Sequence, residues 1–177
     1  TTFTTTLEIA NDQPADEGTY YVQAANAGGT TDSGPADVGV IRQMAYWPLD
    51  GTYEDVIGGH DADPNNPAVD GFIAGIKNQA LALDGVNTLA TAGTWNPSVF
   101  TGQLTVTCWV RWDEGALENQ AIVSKANHWE NPDVMWELAC GTGGNIFFLG
   151  DGSVGLPDET LVPGEWQFVA ASFDGAE

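Results

Sequence analysis

Residues 104–112 read LTVTCWVRW, with Leu104, Val106, Cys108, Val110 and Trp112 on one parity and Thr105, Thr107, Trp109 and Arg111 on the other. Successive side chains of an extended strand point to opposite faces, so this alternation specifies a strand with one buried face, and its length predicts a central one. Shorter apolar segments surround it, separated by Gly, Asp, Asn and Pro turns. The most economical way to bury one face of each is an all-β fold of two stacked antiparallel sheets.

Other strands follow from the same pattern. Residues 120–125 alternate, and in Val134–Cys140 the residues Val134, Trp136, Leu138 and Cys140 share a parity. Ile146–Leu149 is apolar throughout and Trp166–Phe173 is apolar on both parities, which predicts cover on both faces. Leu81 and Leu83 share a face before Asp84-Gly85 turns the chain into a strand over residues 86–90. Gly141-Thr142-Gly143-Gly144 lies between strands and reads as a hairpin turn, not a nucleotide loop. No stretch reads as a helix.

Charge narrows the partners. Twenty-five acids against four basic residues leave a net charge of −21, which repels nucleic-acid backbones and anionic membrane surfaces. Divalent cations are the natural counter-partner, although a solvated acidic surface explains the same composition. The two cysteines, Cys108 and Cys140, both fall on apolar parities; a disulfide and a pair of buried thiols fit equally, while their spacing excludes a zinc site. No segment reaches the roughly 18 to 20 apolar residues of a membrane span, so direct insertion by this segment is not expected. Thr1 opens without a leader, so a signal peptide would have to lie upstream.

Residues 1–42 and 43–177 differ in texture, and the tryptophans all lie beyond Tyr46. In the first part, Leu7 and Ile9 alternate, residues 19–26 form a strand, and residues 27–29 turn into a third strand over 36–41. Asp16-Glu17-Gly18-Thr19-Tyr20, followed by Tyr21-Val22 and Asn26-Ala27-Gly28-Gly29, resembles the last three strands of an immunoglobulin-like domain. The resemblance implies that Tyr20 forms a tyrosine corner, that Val22 replaces the usual Cys, and that the first strands precede Thr1.

In the second part Trp47 and Leu49 alternate in a short strand that ends at Asp50-Gly51, and residues 55–67 form a long loop. That loop starts like a calcium loop at Asp61 and Asp63, but Asn66 and Phe72 stand where an EF-hand needs Gly and Glu. The segments AYWPLDGT, GIKNQALALDG, LTVTCWVRW, AIVSK and PGEWQFVAASFDG, in that order, resemble the laminin G-like, concanavalin A-like jelly-roll superfamily. The resemblance implies an antiparallel jelly-roll sandwich following a partial immunoglobulin-like sandwich. It also implies a frequent structural calcium and sugar or protein binding through edge loops or a sheet face. The family continues beyond the strand that ends at Phe173-Asp174-Gly175, so the jelly roll reads as incomplete at its C-terminus.

Two sets of candidate site residues emerge. Apolar-Asp-Gly occurs at Asp50, Asp84 and Asp174; Asp-Gly is a favoured hairpin turn, and the resemblance implies calcium at the sandwich rim. Asp50, Asp55, Asp84 and Asp174 are the expected calcium ligands, with carbonyls near Gly58 completing the 6 to 8 oxygens such an ion takes. The second set is ANHWENPD, where Asn127, His128, Trp129, Glu130 and Asp133 combine a flat aromatic ring with amides and acids, the mixture that binds sugars. A solvated loop with Trp129 tucked onto the sheet fits the same residues. No catalytic residues are expected. The alternating acid run Glu-x-Asp-x-x-Glu of fold-related glucanases is missing, Glu130 and Glu137 lack a third acid, and His60 and His128 have no nucleophile motif.

These features point to a non-enzymatic adhesion or carbohydrate-binding module of a secreted or cell-surface, bacterial-type multidomain protein, stiffened by calcium. Its expected partner is a glycan or an extracellular protein, with copies of itself as a further option. The alternative is a structural building block of a matrix, surface layer or filament; a glycoside-active enzyme comes third.

Overall fold

A computed structural model describes residues 4–65, 71–115, 119–126, 134–150 and 153–174. It is all-β among these residues, apart from one three-residue 3-10 turn at Pro14–Asp16. In the N-terminal part β1 (Gly18–Tyr20) pairs with β4 (Ala36–Val38), and β2 (Gln23–Asn26) forms a hairpin with β3 (Gly29–Asp32). The strand expected over residues 19–26 is therefore broken after Tyr20, and Leu7 and Ile9 lie outside any strand. The Tyr20 hydroxyl donates to the Asp16 carbonyl at 2.7 Å. Arg42 pairs with Glu17 at 2.5 Å, and Glu17 also accepts from the Val40 N–H, so the end of this part is tied back to its start.

Short pairs follow: β5 (Asp63–Pro64) with β8 (Ala90–Thr91), and β6 (Gly71–Ala74) with β7 (Gln79–Ala82). Residues 46–49, expected as a short strand, carry no ladder. The principal layers come last. β9 (Leu104–Arg111) pairs along its whole length with β14 (Trp166–Phe173), from Leu104↔Phe173 to Arg111↔Trp166. β10 (Gln120–Ala126), β11 (Val134–Cys140), β12 (Ile146–Leu149) and β13 (Ser153–Gly155) form an antiparallel meander. The Gly141–Gly144 turn closes the β11–β12 hairpin, as its sequence predicts, with Gly144 N–H bonded to Gly141 O at 3.1 Å.

The core lies between these two layers. Leu138, Cys140, Ile146 and Phe148 of the meander share one cluster with Val169, Trp112 and Leu161, and Val106, Cys108, Val110 and Ala171 pack against it. The apolar parity of residues 104–112 thus faces inward as its alternation requires. Central position, however, falls to β11, where Glu137, Leu138, Ala139 and Cys140 are all buried. Among the described residues β9 has β14 as its single partner. One-sided alternation marks a strand with an open face; β11 is covered on both over residues 137–140, while Met135 at its start stays exposed. Cys108 and Cys140 belong to this core as free thiols.

Candidate functional site

The expected ligand loop, Asn127, His128, Trp129, Glu130 and Asp133, lies outside the described residues; it joins β10 to β11, which pair as far as Ala126↔Val134. The expected calcium ligands are described, and each organises its own turn. Asp55 Oδ1 accepts N–H bonds from Tyr46 (2.8 Å) and Ile57 (3.1 Å), and Oδ2 accepts one from His60 (3.0 Å). Burial would raise its carboxyl, but the N–H donors of Tyr46, Gly58, His60 and Ile57 outweigh that and hold it at about 2. The same loop is stapled by Trp47 Nε1 donating to the His60 carbonyl and by His60 stacked on Trp95 at 3.9 Å.

Asp84 Oδ1 accepts from the N–H groups of Val86, Asn87 and Thr88 and from the Thr88 hydroxyl. The Val86 and Asn87 donors lead in holding its pKa at about 2. This Asx-type turn occupies the stretch expected as a strand over residues 86–90, because N–H groups captured by a side chain are lost to a ladder. Asp50 accepts from Asn78 Nδ2 at 2.6 Å and from Gln79 N–H at 3.0 Å, joining the segment after residue 49 to the start of β7. Asp174 follows β14 directly.

Calcium seeks oxygen lone pairs, and a carboxylate ringed by N–H hydrogens presents the wrong end of those dipoles. Asp55 does not fit that role. Asp84 keeps Oδ2 outside its turn's hydrogen bonds, and among the described residues no three of His, Cys, Asp and Glu gather as a metal group.

A different surface has the chemistry of a binding face. The outer parity of β9 and β14 brings together Thr105↔Ser172, Thr107↔Ala170, Trp109↔Phe168 and Arg111↔Trp166. Trp109 is 51% exposed and Phe168 57%, with their rings edge-on at 5.6 Å. The Arg111 guanidinium lies 5.8 Å above the Trp166 ring and grips Asp113 with two donors, Nη2 at 2.7 Å and Nε at 3.0 Å. At the other end the Thr105 and Ser172 hydroxyls are 3.0 Å apart. The row therefore runs from paired hydroxyls, through open aromatic rings, to a neutralised ion pair.

Residues 84–177, more than half of the chain, match the family model described as the concanavalin A-like lectin/glucanases superfamily. The chain belongs to that superfamily. Neither curated proteins nor solved structures yield a match. The matched region of this concanavalin A-like chain contains β9 to β14, hence both core layers and the aromatic face; the AYWPLDGT segment and the immunoglobulin-like resemblance lie before it. Membership is consistent with a carbohydrate-binding or adhesion module. Among the described residues no helix is long and apolar enough to cross a membrane.

Sequence reasoning did not single out Trp109, Phe168, Trp166 and Arg111 as a site. The signal was available in β9: Trp109 is an indole placed on the polar parity, between Thr107 and Arg111. A buried strand has no need of it there. In β14 the signal was hidden, because an apolar outer face reads as a covered one.

Proposed function

We propose that this chain is an adhesion or carbohydrate-binding module of a secreted or cell-surface, bacterial-type multidomain protein, and that it binds through the outer face of β9 and β14. The exposed Trp109–Phe168 pair carries this reading, since half-open rings on a rigid ladder stack against the C–H faces of sugars while neighbouring hydroxyls take hydrogen bonds. The module binds without turning its ligand over. Glu137, one of the two acids weighed for catalysis, is 1% exposed and shut away from a substrate. The N-terminal part is read as immunoglobulin-like, supported by the Tyr20–Asp16 bond, which has the form of a tyrosine corner. A structural calcium, if taken, would use Asp84 Oδ2 and not Asp55.

A glycan array on the chain tests the proposal, with Trp109→Ala as control. Signals that disappear in the variant support it. Silence on glycans, with concentration-dependent self-association of the wild type, would move the function to a structural building block.

A further inference from the structure

Resting on the reading of β9–β14 as the glycan-binding face, we propose that the ligand is an uncharged polysaccharide lying along the strands over several sugar units. Three observations combine. The first is electrostatic: a chain of net charge −21 with four basic residues repels polyanions, and the face holds one of those four, Arg111. Asp113 engages that guanidinium through Nε and Nη2 and offsets its charge, and Trp166 lies beneath it, so the face carries no net positive charge to draw a sulfate or carboxylate.

The second is shape. The four cross-strand pairs from Thr105↔Ser172 to Arg111↔Trp166 lie in one row. Six residues of strand span about 20 Å, longer than a single sugar needs. Trp109 and Phe168 are open on a sheet face and not enclosed, which suits contact along a chain better than capture of one terminal unit. The third is the order of groups. Hydroxyls at Thr105, Ser172 and Thr107 and the open rings of Trp109 and Phe168 offer uncharged hydrogen bonding and stacking. Those are the two interactions that a neutral glycan makes.

The test is titration calorimetry and affinity electrophoresis of the 177-residue chain against a soluble neutral β-glucan, a neutral galactomannan and anionic polygalacturonate, with the neutral ligands also supplied as disaccharides and hexasaccharides. Expected is binding to a neutral polymer that strengthens from disaccharide to hexasaccharide and changes little with salt. It should weaken roughly tenfold or more in Trp109→Ala, the loss typical of a central interface aromatic. Phe168→Ala serves as the second variant, and circular dichroism establishes that each is folded. Preferred binding to polygalacturonate that fades with salt would overturn the neutral-ligand inference and leave the glycan-binding function standing. Equal affinity for disaccharide and hexasaccharide would overturn the extended mode alone. Binding to none of the polymers, or binding unchanged in both folded variants, would overturn the inference and the face together.

Discussion

Glu137→Gln should stabilise the protein at neutral pH and remove part of its pH dependence. Glu137 sits mid-strand on β11, between Ser124 of β10 and Leu149 of β12, at 1% exposure. Its Oε1 is buried without a hydrogen-bond partner. Burial pushes its pKa up, against a smaller pull from the Asn119 side chain. With a folded pKa above the unfolded value of about 4.3, the native state holds the proton more tightly than the unfolded chain. Stability from this group is therefore full below the unfolded pKa and is lost as pH climbs through the folded one. Glutamine keeps the shape and never ionises. An ionised carboxylate that burial disfavours costs the fold free energy that a neutral amide does not, so the variant should gain on the order of 1 kcal/mol at pH 7 and nothing near pH 4. In a chain of this size each kcal/mol moves the thermal midpoint by about 2–4 °C. Urea unfolding of both proteins at half-unit steps from pH 4 to 8 reads this directly. A variant less stable at pH 7, or parallel to the wild type throughout, would show that the carboxylate is held by a favourable partner and refute the reasoning.

Asp55→Asn should lower stability by about 2–3 kcal/mol at pH 7, since an amide cannot accept at both ends and hydrogen bonds to a charged group are the stronger kind. Its pKa is held near 2, so the wild type should lose this contribution as pH falls from about 4 through 2, while the variant's urea midpoint stays flatter over that window. Asp84→Asn retains the Oδ1 acceptor of its turn; if Oδ2 takes calcium, the wild-type thermal midpoint should rise with millimolar calcium and the variant's should not. An unchanged wild-type midpoint would remove calcium from the proposal. Burial raises both thiols, Cys108 to about 11, so a thiol-reactive dye at pH 8 should label neither until urea unfolds the chain; rapid native labelling would contradict their place in the core.

The strands that sequence made legible are those whose period is unambiguous. β9, β11, β12 and β14 lie where their apolar patterns put them, because one-residue slips would turn whole faces outward. The short elements were less legible. Gly71–Ala74 escaped notice because four residues starting with Gly carry too little alternation, and residues 86–90 followed the hydrogen bonds of Asp84 instead of their apolar content. Three of the four calcium candidates, Asp50, Asp84 and Asp174, stood in Asp-Gly turns, and sequence spacing cannot tell a carboxylate that meets an ion from one that meets its own backbone. The aromatic face was half visible: Trp109 broke the parity of its strand, whereas Phe168 and Trp166 were camouflaged among apolar neighbours.

The antiparallel register of β9 and β14 also determines how the module would yield to mechanical load. A pull on the chain beyond Asp174 meets the Phe173↔Leu104 pair first and opens the ladder one rung at a time, like a zip. Five rungs would part before Phe168↔Trp109, and Trp166↔Arg111 would part last. Under tension from that end, the hydroxyl end of the face would fray early while the Trp109↔Phe168 rung stayed paired.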